Sequence, residues 1–331
     1  MNQTAQQHTT NRRDFLLRLL KGGISIGAAC SLSYWLYDAT GPGVAREEKD
    51  LVTLPDFSIP SIKGKMSIVT GVDRTETIRQ AFDAMGGIET FIKKGDRVLL
   101  KVNAAFATPP ILSATTNPQL VAEVAHLCYK AGASSVVVTD NPINDPASCF
   151  ALTGIGEAAK SAGAKVLVPK ESFFQPTTVS AGVLIQSWPI LWEPFQKINK
   201  VIGMAPVKDH HRSGGSMSMK NWYGLLGGQR NIFHQNINTI ITELAMMVKP
   251  TLVILDGTTA MMTNGPTGGS LSDLKQTNTM IVSTDQVAAD AFGATLMGKT
   301  AAELPYIAKA EAAGLGTADY EALSPGRANV S

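Results

Sequence analysis

Short runs of β-branched and aliphatic residues alternate along the chain with longer stretches in which apolar residues recur at helical spacing. The short runs predict buried strands, and the longer stretches predict amphipathic helices. Predicted strands cover residues 67–70, 97–102, 135–139, 165–168, 200–205, 251–255 and 279–283. Predicted helices cover residues 118–131, 147–162, 237–248 and 286–297. This alternation predicts an α/β fold with a doubly wound, mostly parallel sheet and helices on both faces.

The N-terminal residues interrupt this pattern and predict an export signal. Arg12 and Arg13 precede Phe15, and a nearly uncharged segment follows at residues 24–37. The arrangement resembles a twin-arginine signal peptide that ends in small residues suited to cleavage, here residues 41–45. Retention of the apolar segment as a membrane anchor is the alternative interpretation.

Three regions follow from these patterns. They are a signal peptide at residues 1–45, a linker at 46–65 that mixes charge, proline and glycine, and one α/β domain at 66–331. The predicted location is therefore periplasmic or otherwise exported, with the twin-arginine machinery as a partner. Contact with a membrane is expected only through the signal segment.

Charge and cysteine content exclude several classes of partner and cofactor. The chain has 29 basic and 27 acidic residues, and loss of the four basic and two acidic residues of the signal leaves 25 of each. A neutral balance argues against a general nucleic-acid-binding surface. Cys128 and Cys149, the cysteines that follow the signal, are too few to hold an iron-sulfur cluster, so none is expected.

Polar residues directly follow several predicted strands. Parallel strands end at a common edge, where α/β proteins bind ligands, so these residues predict a crevice. The region from residue 208 to 234 stands out because no hydrophobic period explains its cations and histidines, which are Lys208, His210, His211, Arg212, Lys220, Arg230 and His234.

The order of these motifs resembles the family called domain of unknown function 362. The resemblance covers roughly residues 97–318 and implies no particular reaction. Some relatives carry a ferredoxin-like cysteine domain that this sequence does not contain, so the resemblance does not imply electron transfer here. The matching segments are residues 101–103, 115–118, 132–142, 206–211, 218–221, 224–234, 249–256, 264–269, Asp285 with 288–290, and 312–316.

The main functional hypothesis is that the crevice binds a small anionic ligand or an anionic organic cofactor. Lysines supply charge, and neighbouring glycine amides can form a concave nest for an anion. The predicted binding residues are Lys101, Asn103, Lys208, Gly214, Gly215, Lys220, Asn264, Gly268 and Gly269.

A metal-dependent periplasmic enzyme is the first alternative. His210, His234 and Asp256 supply nitrogen and oxygen ligands suited to a transition metal, although no known metal-binding spacing is present. As catalytic groups, His210 or His211 would donate a proton, and Asp256 would orient a lysine or the metal. A non-catalytic solute-binding or accessory protein is the second alternative.

A shared site also requires two loops to meet. Residues 208–220 and 264–269 follow strands predicted to run in the same direction, so both loops leave one edge of the sheet. We therefore expect Lys208 to pair with Asp256, and Lys220 to reach the amides of residues 265–269.

Overall fold

The structure, a computed structural model, describes residues 11–35 and 50–330. The chain divides at residue 50 into an N-terminal unit and a body. The N-terminal unit contains helix α1 (Arg12–Trp35), whose segment Phe15–Trp35 is long and apolar enough to cross a membrane. The predicted cleavage site at residues 41–45 lies outside the described residues.

The body is built on a sheet of eight strands, and a separate hairpin pairs β5 with β6. The order in the large sheet is β10-β1-β9-β8-β7-β2-β3-β4. The strands are β1 (Met66–Thr70), β2 (Arg97–Lys101), β3 (Ser135–Thr139), β4 (Lys165–Leu167), β5 (Phe174–Thr177), β6 (Trp188–Leu191), β7 (Lys200–Lys208), β8 (Leu252–Met261), β9 (Leu274–Ser283) and β10 (Gly326–Asn329).

Helices cover both faces of this sheet. Ile78 and Leu120 belong to the hydrophobic layer on one face, and Leu244 and Val287 belong to the layer on the other. The doubly wound α/β prediction is confirmed. The helices are α2 (Arg74–Asp83), α3 (Pro118–Lys130), α4 (Pro146–Leu152), α5 (Ile155–Ser161), α6 (Ser218–Asn221), α7 (Ile237–Met247), α8 (Gln286–Leu296) and α9 (Pro305–Ala312).

Differences from the predicted elements have local causes. The predicted helix at 147–162 divides into α4 and α5 because Gly154 between them adopts φ +71°, a left-handed conformation that glycine tolerates. Strands β7 and β8 continue beyond their predicted ends to Lys208 and Met261, which pair with each other, and β8 does so through polar residues. Backbone pairing therefore outlasts the apolar run that predicted each strand.

Strand β9 is antiparallel to both of its neighbours, whereas the other pairs in the large sheet are parallel. Its carboxyl end therefore lies at the edge opposite to the ends of β7 and β8. There the carboxylate of Asp285 accepts hydrogen bonds from the amides of Val287 and Ala288 and caps α8. A hairpin-like connection joins β8 to β9 and reverses the chain, which places Asp285 at this opposite edge.

The segment predicted as a linker is partly packed onto the body. Leu54 and Phe57 are buried in a hydrophobic layer, and the Phe57 amide donates to the carbonyl of Lys249. Two isolated apolar residues produce no periodicity, which is why the sequence pattern indicated an unpacked connection. Residues 46–49 of the predicted linker lie outside the described part.

Candidate functional site

A cavity opens at the carboxyl ends of β2, β3 and β7. Strands β2 and β7 are neighbours in the sheet but come from distant parts of the chain, so the cavity lies at a topological switch point, where α/β proteins bind ligands. It encloses about 80 Å³. Its lining residues are Asn103, Ala105, Phe106, Asp140, Asn141, Ile143, Lys208, His210, Ser216, Lys220, Asn221, Tyr223, Gly224, Arg230, His234 and Pro266.

The floor of the cavity is held by a buried ion pair. The ammonium nitrogen of Lys101 lies 2.7 Å from Oδ1 of Asp140 and also donates to the Asn221 carbonyl at 2.8 Å. The second oxygen of Asp140 accepts from the Ala104 amide at 2.7 Å. Gly224 passes so close that a Cβ there would lie 1.9 Å from Asp140 Oδ1. Lys101 was predicted to bind the ligand, but these contacts satisfy its ammonium group, and it does not line the cavity.

Lys208 and Lys220 line the cavity and are buried, with side chains about as inaccessible as core residues. Lys208 donates to the Ala114 carbonyl, and its ammonium nitrogen lies 5.2 Å from the centre of the Phe106 ring. The Lys220 nitrogen lies 5.2 Å from the centre of the Tyr223 ring. Burial, with repulsion from Lys220, lowers the pKa of Lys208 to about 7, and burial lowers the pKa of Lys220 to about 8.

Arg230 adds a third cation to the lining. Its guanidinium donates to backbone carbonyls, including those of Tyr223 at 3.3 Å and Pro142 at 2.9 Å, and burial lowers its pKa. Within residues 50–330, neither Arg230 nor Lys208 nor Lys220 forms an ion pair with a carboxylate. The one acid in the lining, that of the floor, is already paired. Three cations therefore share the lining with a single carboxylate, which leaves an excess of positive charge in the cavity.

Two histidines in the lining have opposite hydrogen positions. Nδ1 of His210 accepts from the amides of Arg212 and Ser213 at 3.2 and 3.3 Å, so the hydrogen of the neutral ring is on Nε2. Nδ1 of His234 lies 3.1 Å from the Tyr223 hydroxyl and 3.2 Å from the Asn231 carbonyl. The hydroxyl donates its hydrogen to the Arg230 carbonyl, so both neighbours accept, the hydrogen of the ring is on Nδ1 and Nε2 carries the lone pair. Burial lowers the pKa of His210 to about 2 and also lowers that of His234. The cavity thus has one neutral donor and one neutral acceptor.

The predicted metal ligands do not converge. His210 stacks on His211 with ring centres 4.9 Å apart and on His234 at 5.9 Å, and parallel rings turn their faces rather than their nitrogens toward each other. Asp256 is bound by Arg74, whose Nε donates to it at 2.8 Å. In the described chain, no group of three His, Cys, Asp or Glu residues is placed to hold a metal ion. The predicted set of His210, His234 and Asp256 is therefore wrong as a geometric arrangement.

The expected ion pair between Lys208 and Asp256 is also wrong. Strand β8 continues past Asp256 to Met261, so this carboxylate lies within the strand rather than in the loop beyond it. It contacts α2 through Arg74, away from the cavity lining. A catalytic or orienting role for Asp256 in this cavity has no geometric support.

The predicted glycine nests do not face the cavity. The Gly214 amide donates to the His210 carbonyl, and a Cβ at Gly214 would lie 2.7 Å from the Leu304 side chain. Gly215 packs similarly close to Leu304 and to Met297. These glycines allow a tight turn to pack against the segment between α8 and α9, which explains them without a ligand.

The second predicted nest belongs to a turn organised by Asp273. Its Oδ1 accepts from the Asn264 side-chain amide at 2.6 Å, and the Gly268 amide donates to the Asn264 carbonyl. Gly268 packs against Met261, and Gly269 faces open space. Asn264, Gly268 and Gly269 therefore lie outside the cavity lining.

The two loops nevertheless meet, as expected from their parallel strands. The Gly265 amide donates to Asp209 at 3.2 Å, and Nδ1 of His211 lies 3.3 Å from the Gly265 carbonyl. Pro266 reaches the cavity lining that also contains Lys220. His211 itself is exposed and contacts the cavity only through the stacked ring of His210.

Sequence reasoning missed several contributors. Tyr223 follows Lys220 by one helical turn, a spacing that places two side chains on the same face, and this signal went unused. Asp290 lies inside α8, and its carboxylate accepts from the amides of Ser218 at 2.7 Å and Met219 at 3.1 Å. It therefore orients the turn that carries Lys220, and burial raises its pKa to about 7.

Comparison with known proteins places the chain in a family. The model of the family described as Domain of unknown function (DUF362) matches residues 98–295, which is more than half of the chain. The matched range includes both lysines of the cavity lining. The chain belongs to this family. The match spans β2 through most of α8, which contains all of the described cavity lining.

The chain is also similar to a curated protein over most of its length. It is a protein from Synechocystis sp. named as thylakoid-associated, 24% identical over 257 residues, which cover 75% of this chain and 78% of the relative. The aligned length exceeds the family match, so the similarity extends beyond the cavity region. Neither the family description nor the name of the relative states a reaction.

Proposed function

We propose that the cavity binds a small anion, or the anionic end of a larger molecule. The observation that carries this proposal is the group of three cations in the lining, the buried Lys208 and Lys220 and the partly buried Arg230, none of which forms an ion pair in the described chain. Burying an ion without a partner costs several kcal/mol, so a protein keeps such groups where a ligand compensates them. A cavity of about 80 Å³ suits only a few non-hydrogen atoms.

The neutral groups of the lining complement an anion that carries further polar atoms. Nε2 of His210 is a hydrogen donor that stays neutral, because its pKa is about 2. The Asn103 side-chain oxygen accepts from the Ala105 amide, which leaves the side-chain NH₂ of Asn103 to donate. Phe106 and Ile143 supply an apolar rim. Specificity would therefore come from these groups and affinity from the cations.

Sulfate is the probe of choice, because its charge is constant between pH 6 and pH 9. We expect sulfate to bind the purified body and its affinity to fall at least tenfold over this range. Sulfate binding raises the pKa of Lys208 and Lys220 above their ligand-free values of about 7 and 8. The affinity for sulfate is therefore highest below pH 7 and falls as the pH rises above these values. Calorimetric titration measures both quantities.

A matched control is Lys309→Met, which removes an exposed cation of α9 far from the lining. Its sulfate affinity should equal that of the wild type at every pH. Absence of binding at pH 6, or an affinity that does not change with pH, would overturn the proposal.

We further propose that the protein is exported through the twin-arginine pathway. The Arg12-Arg13 pair at the start of α1 and the apolar segment Phe15–Trp35 support this, as does similarity to a protein named as thylakoid-associated. Replacing both Arg12 and Arg13 by lysine keeps the positive charge but removes the two guanidinium groups. We expect the double variant Arg12→Lys, Arg13→Lys to accumulate in the cytoplasm as full-length precursor, measured by fractionation and immunoblotting. Export at the wild-type level would contradict the proposed pathway.

A further inference from the structure

The environment of Lys208 differs from that of a simple charge anchor. Its nitrogen is held by one carbonyl, that of Ala114, and lies beside the face of the Phe106 ring. It has no carboxylate partner in the described chain and faces the same cavity as a second ammonium, Lys220. A desolvated lysine next to another cation is the usual arrangement for an amine that acts as a nucleophile toward carbonyl carbons.

We propose that Lys208 forms an imine with a small carboxylate that carries a carbonyl group, such as a 2-oxo acid. This inference rests on the proposed anion site and names its substrate class. Lys220 and Arg230 would bind the carboxylate, and Nε2–H of His210 would donate to the carbonyl oxygen. These groups line one small cavity, so a molecule of this size would contact the two cations with its carboxylate and Lys208 with its carbonyl carbon.

Imine formation needs no reagent besides the Lys208 amine and the carbonyl compound. The Lys208 amine adds to the carbonyl carbon, so a carbon–nitrogen bond forms and the carbonyl oxygen takes up charge. The nitrogen loses two protons, and the oxygen leaves with two protons as water. In the cavity, the bare Nε2 of His234 is a neutral proton acceptor that would carry protons from the nitrogen to the leaving oxygen, so the Lys220 ammonium keeps its charge on the carboxylate.

Lys208 should react before exposed lysines because a larger fraction of it is the free amine, which is the nucleophilic form. While the cavity holds no anion, the pKa of Lys208 is about 7, so roughly half of this lysine is free amine at pH 7, against on the order of one part in a thousand for an exposed lysine. Carbonyl compounds in general therefore react there first, while the neighbouring cations attract those that are also anions.

Pyruvate with sodium borohydride tests the proposal, since hydride reduction makes an imine permanent. We expect the intact protein at pH 7 to gain the mass of one reduced pyruvyl group, and peptide mapping to locate it on Lys208. Sulfate should suppress the labelling, because it occupies the same cations. Lys208→Arg keeps the charge but cannot form the imine, so its labelling should fall at least tenfold, whereas Lys309→Arg should be labelled as the wild type.

Failure of this inference is distinguishable from failure of the anion site. If pyruvate competes with sulfate in calorimetry but no adduct forms on Lys208 of the wild type, imine formation is wrong and the anion site remains. If neither sulfate nor pyruvate binds, both proposals are wrong. An adduct spread over exposed lysines, unaffected by sulfate, also overturns the assignment to Lys208. Mapping the wild type keeps the test valid even if Lys208→Arg does not fold.

Discussion

Replacing Lys220 by methionine is expected to stabilise the sulfate-free protein while weakening sulfate binding by roughly tenfold to a hundredfold. The ammonium of Lys220 is buried against the Tyr223 ring and has no carboxylate partner among the described residues. Replacement of a buried charge by an apolar side chain of similar length gains roughly 1–4 kcal/mol. Loss of one charged hydrogen bond to the ligand costs about 1.5–3 kcal/mol, which gives the expected loss of affinity.

The stability gain should depend on pH in a defined direction. The pKa of Lys220 is about 8 in the folded protein and lies near 10.4 in an unfolded chain. Between these values the unfolded wild type binds more protons than the folded wild type, so its stability rises with pH, whereas the variant lacks this dependence. The advantage of Lys220→Met is therefore complete below pH 8 and disappears as the pH approaches 10.4.

Denaturant unfolding at pH 7 and pH 10 measures this difference, and calorimetry measures sulfate affinity. The exposed replacement Lys309→Met should change neither quantity by more than about 0.5 kcal/mol. A Lys220→Met protein that is less stable than the wild type at pH 7, or that binds sulfate equally well, would show that Lys220 has a structural role and does not bind the ligand.

Replacing Asp140 by asparagine is expected to have the largest effect on stability. The carboxylate lies 2.7 Å from the Lys101 nitrogen, and both side chains are almost fully buried. Asparagine would leave the Lys101 charge buried without a counterion, which costs roughly 3–5 kcal/mol. Asparagine keeps a side-chain oxygen that can accept from the Ala104 amide, so the loss of the counterion is the dominant change.

An exposed ion pair supplies the matched control. Asp56 and Lys249 are 3.6 Å apart with more than half of each side chain accessible, so Asp56→Asn should cost less than about 1 kcal/mol. Guanidinium unfolding of both variants gives the comparison. Equal stability of Asp140→Asn and Asp56→Asn would show that Lys101 is compensated by its carbonyl contacts alone.

Prediction of the candidate site from sequence was limited by side-chain direction. Lys208, Lys220 and His210 were predicted to share a site, and the structure brings them to one cavity because their loop follows a strand that ends beside β2. Gly214, Gly215, Gly268 and Gly269 were predicted with the same logic, but none of them lines the cavity. The amides of Gly214 and Gly268 are used by turns, Gly215 packs against Leu304, and Gly269 faces open space. A glycine pair indicates a turn, and only the surroundings decide whether its amides face a ligand.

Pairing of charges was the least predictable feature. Asp256 was expected beside Lys208, but β8 continues beyond it and the carboxylate meets Arg74 of α2 instead. Lys101 was expected to bind the ligand, but it is neutralised by Asp140 from the adjacent strand. Ion pairs between residues distant in sequence depend on strand order and on which face each side chain takes, and neither is encoded by local spacing.

The sequence by itself determined the alternation of strands and helices, the doubly wound α/β fold and the loop that carries the lysines and histidines. These features follow from local periodicity, because one face of each helix and both faces of each central strand must be buried. Tertiary structure alone decided that β9 runs opposite to its neighbours, that Lys101 forms an ion pair and that Lys208, Lys220 and Arg230 form none among the described residues. Burial without a counterion is a property of the assembled surroundings, and it is this property that gives the cavity its proposed chemistry.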